Sequence, residues 1–427
     1  GEGADDVAPP MLVIQDELHL ISGPLGTIAA IYEAGIEALM TRNGRGPKVI
    51  AATATIRGSG DQVERLYGHP VRVFPAGGLD VEDSWFMRID RSGRITPRRY
   101  VGVMGQGHDP VTNLVRTLAI QLQAAAGGSE RDDEYWTVAA YHNSRRELGK
   151  TLTIARDDVP ARIRTISGDR EARTVHEVSE LSGQLPTWRV PQVLEEVYRA
   201  RGDDDCLDVL ACTSMISVGV DIERLHSMLI NGQPKTCSEY IQASSRVGRG
   251  PLGGGLVVVV HSPSKPRDRS HHEMFRAFHE AIYRWVEPTS VTPHAGPALD
   301  RALHAAFITA VRLDALPSGQ EAAGVLNAEP RTLAAIETFT GCLLRRVRPE
   351  DRALVERRLD EFRLTWECAA DENSYLPYES IPQIDGLMTA AEPGLTYGMP
   401  FPTLNSMRNV DGDIPTLVRK RSKDVPS

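Results

Sequence analysis

A chain of 427 residues amounts to about three domains at the usual ~100 to 200 residues each, and 41% apolar and 25% charged residues with 37 Gly and 28 Pro exclude the disordered and collagenous classes. The formal charge of -9 gives no global basic field, so any nucleic-acid binding must come from a local groove. Five cysteines (Cys206, Cys212, Cys237, Cys342, Cys368) without a CxxC pair argue against a disulfide framework and a cysteine zinc site; with no run of ~18 apolar residues and an acidic start unlike a signal peptide, the expected location is cytoplasmic, with no membrane partner.

The first element in chain order is Met11 to Ile14, a short apolar run that stops at Gln15-Asp16-Glu17-Leu18-His19. It reads as a buried parallel strand with acids at its carboxyl end. Thr27 to Met40 has helical spacing of Ile28, Ile31, Ile36 and Leu39, closed by Asn43-Gly44. Lys48 to Thr55 is a second strand ending in Thr53-Ala54-Thr55, and Gln62 to Tyr67 a short helix. From Phe74 to Gly107 no period is sustained, which suggests a boundary near Gly78 and a connector over 79–110.

A second alternating block follows, with helices over Val111 to Ala126 and after Ser144, and strands at Thr137 to Tyr141, Asp208 to Cys212 and Gly255 to Val260. Strands alternating with helices imply a parallel α/β sheet, assigned to 111–262. Beyond His261 the chain turns helix-rich, with Phe275, Phe278, Tyr283 and Trp285 as aromatic anchors, and 263–427 is expected to be a helical region with an irregular tail.

Four short elements carry chemistry. Asp16-Glu17-Leu18-His19 after an apolar strand places two carboxylates where an NTPase needs one to hold Mg²⁺ and one to position or deprotonate water. Thr53-Ala54-Thr55 ends the next strand with two hydroxyls. Thr213-Ser-Met-Ile-Ser-Val-Gly219-Val-Asp221-Ile222 offers a glycine at which backbone can approach a ligand. In Glu239-Tyr-Ile-Gln242-Ala-Ser-Ser245-Arg246-Val-Gly248-Arg249-Gly250 the two arginines lie three apart, a spacing that on one helical face lets both reach a γ-phosphate.

Taken in this order, the elements resemble motifs II, III, V and VI of the superfamily 2 helicases over roughly residues 11–262, with Ser245 where the first glycine of motif VI is usual. The resemblance implies two RecA-like domains, the first partial (1–78) and the second complete (111–262). It further implies ATP and Mg²⁺ as cofactors, with ATP held between the domains. Asp16 would be the metal-holding acid, and Asp16, Glu17, His19, Gln242, Arg246 and Arg249 the catalytic set. Thr53 and Thr55 would couple the domains, and Gly219 and Asp221 would approach the nucleotide. Asn143, Ser144 and Arg145 of a motif IV, Tyr141-His-Asn-Ser-Arg145, would join Thr213 and Ser214 on a nucleic-acid backbone.

Three further stretches, Asp16 to Thr27, Tyr283 to Pro293 followed by Ala298 to Leu303, and Leu404 to Asp411, resemble the DrmA family of helicase-like subunits of the DISARM phage-defence system. That implies DNA and a DrmB-like subunit as partners. A non-catalytic DNA-binding scaffold and an RNA-directed helicase stay open as alternatives.

Superfamily 2 motors carry a P-loop upstream of the acid pair, but only fifteen residues precede Asp16, so the chain is expected to be the C-terminal part of a longer protein. Gly149-Lys150-Thr151 does not replace it, because Ser144-Arg-Arg-Glu147 reads as a capping box opening a helix. Gly248-x-Gly250-x-x-Gly253 precedes a strand and reads as a turn, not a dinucleotide loop. His271, His272 and His279 are expected on a solvated helix, not around zinc.

Overall fold

The structure, a computed structural model, describes residues 9–41, 44–53, 59–76, 85–86, 92–127, 132–203, 205–217, 221–251, 253–316, 330–372, 375–390 and 400–404. Unit 1 combines Gly1–Phe74 with Pro288–Ser427, and unit 2 is Pro75–Glu287. Unit 1 begins with β1 (Leu12–Gln15), a 3₁₀ turn (Leu18–Leu20), α1 (Gly23–Met40), β2 (Lys48–Ala51) and α2 (Ser59–Tyr67). The strands pair in parallel, Leu12 with Lys48 through Gln15 with Ala51. α1 starts four residues before the expected Thr27, because Pro24 suits a first helical turn whose N–H groups have no partner within the helix.

Unit 2 opens with β3 (Arg99–Val103), α3 (Pro110–Ala124), α4 (Asp132–Trp136), β4 (Val138–His142), α5 (Arg145–Arg156), α6 (Asp158–Ser167), β5 (Val178–Leu181) and α7 (Arg189–Tyr198). It continues through β6 (Val209–Cys212), β7 (Ser227–Asn231), α8 (Cys237–Ser244), β8 (Leu256–Val260), α9 (Pro266–Glu273) and α10 (Phe275–Glu280). Its six strands form one parallel sheet in the order β3-β8-β7-β4-β6-β5. The central strands are buried on both faces, as the apolar runs Val138 to His142 and Val209 to Cys212 require. Val138, Ala140 and Val209 pack on one side with Leu118 of α3 and Ile163 of α6, while Ala139, Tyr141 and Leu210 face Val193 of α7 and Tyr240 of α8.

The chain then returns to unit 1 with α11 (Gly296–Ala315), α12 (Pro330–Leu344), α13 (Arg352–Glu372), β9 (Met388–Ala390) and β10 (Phe401–Thr403). Ile28, Ile31 and Ala34 of α1 share one core with Leu303 and Phe307 of α11, Phe339 of α12 and Trp366 of α13. No helix among the described residues is long and apolar enough to cross a membrane.

Three expectations about organisation change. The stretch 79–110, taken as a connector, contains β3, which pairs with β8 from Arg99 with Leu256 to Val103 with Val260. The region 263–427 does not stand apart: its first part, through Glu287, belongs to unit 2, and α11 to α13 complete the core of α1. β1 is not a buried strand, since Ile14 is 72% exposed and Leu12 47%. With β2 as its partner and no third strand paired to either among the described residues, the pair leaves apolar side chains in solvent.

Candidate functional site

In unit 1 the acids sit on a tight turn at the carboxyl end of β1. Glu17 adopts the left-handed conformation (φ 51°, ψ 44°), uncommon for a residue with a Cβ. The turn is fixed because Asp16 Oδ1 accepts the Glu17 N–H at 2.8 Å, the Leu18 N–H reaches Ala52 O at 3.0 Å, and the Ala52 N–H reaches Gln15 O at 2.8 Å. Asp16 faces solvent at a strand end, and an exposed carboxylate oxygen is the donor type Mg²⁺ takes, often through water.

His19 joins the acid turn to the end of β2. Its ring is buried, and Nδ1 lies 3.3 Å from Glu17 Oε2 and 3.5 Å from Thr53 Oγ1. With a proton on Nδ1 the ring donates to Glu17; without it, the ring accepts from the Thr53 hydroxyl. Nε2 is buried with no hydrogen-bond partner among the described residues. Thr55, the second coupling hydroxyl expected, lies outside the described residues.

In unit 2 the expected backbone-binding residues gather at the carboxyl edge of the sheet. Ser144 accepts the Glu147 N–H at 3.3 Å and so caps α5, which places Gly149-Lys150-Thr151 inside a helix, where it cannot wrap a phosphate. Arg145, exposed, donates to Gln184 Oε1 in the loop after β5. Thr213 and Ser214 follow β6, with Ser214 exposed. Asn143, half-buried beside them, donates its amide to Asn231 O (3.2 Å) and Gly232 O (3.1 Å) at the end of β7.

The arginine segment is not one continuous helical face. α8 ends at Ser244, and Gly248 takes φ 71° beside β8, where a Cβ would meet Gly255 N at 2.3 Å. Arg246 therefore lies in the turn after the helix and Arg249 beyond the break. Arg249 Nη1 makes a 2.9 Å ion pair with Asp221 Oδ1, so the two expected nucleotide-facing residues are brought together. Gly219 lies outside the described residues. Gln242, on α8, is half-buried.

Sequence spacing gave no sign of the side chains that hold these segments. Arg98 donates to Val247 O (2.9 Å) and Ser245 O (3.2 Å) across the arginine turn. Glu287 accepts the Cys237 N–H with both oxygens (3.0 and 2.9 Å) at the start of α8. Burial, with the Glu287 charge beside it, pushes the Cys237 thiol up to about 12, so it stays protonated at neutral pH. His279 donates Nδ1–H to Phe275 O (2.7 Å) and accepts the Tyr240 hydroxyl at Nε2 (2.8 Å), which makes it a neutral structural histidine.

Residues 140–251 match the family described as the helicase conserved C-terminal domain. Over 319 residues, 71% of the chain, the sequence is 44% identical to the DISARM protein DrmA of Bacillus paralicheniformis, and it spans 28% of that relative's length. Among solved structures it resembles the DUF1998 helicase MrfA bound to DNA and AMPPNP (TM-score 0.51, 18% identity, 69% of this chain and 36% of that one). It also resembles the helicase Lhr of Mycobacterium smegmatis bound to ssDNA and AMP-PNP (TM-score 0.50, 15% identity, 82% and 38%). Both likenesses are in fold: a parallel α/β sheet of the RecA-like helicase type with added helices.

Proposed function

Starting from a chain that carries a superfamily 2 helicase domain and is similar to a DISARM defence protein, we propose that it forms part of an ATP-dependent DNA translocase or helicase of a bacterial anti-phage system. The observation that carries this reading is the acid turn, where one ring nitrogen of His19 lies within 3.5 Å of both Glu17 and the Thr53 hydroxyl.

In this mechanism Asp16 would hold Mg²⁺, which would neutralise phosphate charge, and Glu17 would orient and deprotonate the attacking water. Bound ATP with Mg²⁺ supplies the phosphoryl group and a leaving group of neutralised charge. The proton on His19 Nδ1 decides whether the ring steadies Glu17 or takes the Thr53 hydroxyl, which links the acid turn to the end of β2; Thr55 would extend the same link. By the resemblance to superfamily 2 helicases, Gln242, Arg246 and Arg249 would bring hydrogen bonds and positive charge to the transferring group, and Gly219 and Asp221 would approach the nucleotide. The phosphate-cradling loop that this chemistry also needs has no counterpart among the described residues, Gly149 to Thr151 being helical.

At the sheet edge of unit 2, the exposed Ser144, Arg145 and Ser214, beside Thr213, support contact with a nucleic-acid backbone. Asn143 would steady that edge. Contacts of this kind track phosphates and give weak sequence preference. A cytoplasmic machine with partner subunits, such as a DrmB-like one, completes the reading.

The test is ATP turnover by the full-length protein with single-stranded DNA, duplex DNA or RNA. DNA should stimulate turnover most, and Glu17→Gln should lower the stimulated rate by about 100-fold or more. Turnover that survives Glu17→Gln overturns the mechanism. Stimulation by RNA alone moves the substrate to RNA, and DNA binding without hydrolysis points to a scaffold.

A further inference from the structure

The acid turn is held from behind by a side chain that none of the motifs contains. Gln62 of α2 is 1% exposed, and its amide nitrogen donates to Ile21 O at 2.7 Å and Leu18 O at 3.4 Å, the two carbonyls that flank His19 and Leu20. Its carbonyl oxygen accepts the hydroxyl of Thr289, from a segment 227 residues away in sequence. The next residue, Ser290, accepts the N–H of Gly23 at 2.9 Å through its carbonyl, so the same segment also anchors the start of α1. A primary amide offers two donors and an acceptor in one plane, and here both ends are engaged in the core.

We propose that Gln62, with Thr289 behind it, is a positioning residue of the acid pair. It fixes the 3₁₀ turn so that the buried His19 ring stays between Glu17 and Thr53. The proposal rests on the reading of Asp16 and Glu17 as an ATPase site and adds to it a residue that touches neither nucleotide nor water. The hydrogen bonds among Gln15, Leu18 and Ala52 hold the acid side of the turn, and the Gln62 amide ties its far side at Leu18 O and Ile21 O. Replacing the amide by an apolar group removes the side-chain donor from Ile21 O and leaves Leu18 O with the Ile21 N–H alone. A displacement of about 1 Å in a catalytic group costs on the order of 100-fold in rate.

The experiment measures kcat and KM for ATP in the full-length protein, with single-stranded DNA, together with the thermal midpoint. Gln62→Leu should lower kcat by about 10- to 100-fold with KM within about 2-fold. Thr289→Val, which keeps both Gln62 donors, should lower kcat by less, and in the Gln62→Leu background it should add nothing, because the two groups act as one unit. Leu359→Ala, on α13 in the other core of the same unit, should lower the thermal midpoint and leave kcat unchanged. Should Gln62→Leu fail to fold, Thr289→Val alone decides the matter. Unchanged kcat in the folded Gln62 and Thr289 variants, or an equal fall in Leu359→Ala, overturns the positioning role. A wild-type protein that hydrolyses no ATP with any nucleic acid overturns the ATPase reading instead, and with it this proposal.

Discussion

Single residues in this protein do work that their neighbours in sequence conceal. Arg249 and Asp221 are 28 residues apart and meet as an exposed ion pair, with side chains 32% and 68% exposed. Such pairs contribute about 0 to 1 kcal/mol, so Asp221→Asn should change unfolding free energy by less than ~1 kcal/mol. Arg249→Ala should lower ATP turnover of the full-length protein by about 1,000-fold if Arg249 stabilises transition-state charge. If turnover falls no further in Arg249→Ala than in Asp221→Asn, Arg249 is a surface partner of Asp221 and not part of the reaction.

Elements owe their positions to caps and turns at their ends more than to their own propensity. α5 begins where it does because Ser144 caps it, and Ser144→Ala should cost about 0.5 to 2 kcal/mol in a denaturant titration. Lys150→Ala in the full-length protein should leave KM for ATP within about 2-fold, since Lys150 sits mid-helix; a large rise would restore Gly149 to Thr151 as a phosphate site. The capping box and the turn before β8 were legible in the sequence because both are local: a hydroxyl three residues before an acid, and glycines before an apolar run. The clamps by Gln62, Arg98 and Glu287 were not, because each joins segments between 41 and 227 residues apart or serves a carbonyl that any residue could supply. β7 escaped notice for a related reason: Ser227 to Asn231 is too short and too mixed to stand out until it lies buried between β4 and β8.

At the scale of the whole molecule, each unit buries histidines that fold as neutral rings. Burial holds His142 at about 3 and, with His272 nearby, His261 also at about 3 in unit 2, and holds His294 and His304 at about 4 in unit 1. An unfolded histidine titrates near ~6.5, so below that pH the unfolded chain binds protons that the folded chain refuses. Stability is therefore complete above about pH 6.5 and is lost as pH falls toward 4, by up to ~1.4 kcal/mol per histidine per pH unit. The thermal midpoint should fall steadily between pH 7 and 5; a flat profile would show that these rings are not held neutral.

The sequence by itself determined the class of fold and the order of its chemical elements, because buried parallel strands read as apolar runs and acids, hydroxyls and arginines at their ends keep fixed spacings. It also determined the likeness to helicases of phage defence. Only the tertiary structure decided which strands share a sheet, that β3 belongs to unit 2, and that α11 to α13 close the core of α1. It alone brought His19 to Thr53, Arg249 to Asp221 and Gln62 to the acid turn. The physical reason is the same in each case: a buried polar group needs a partner, and which distant residue supplies it is settled by packing, not by its distance along the chain.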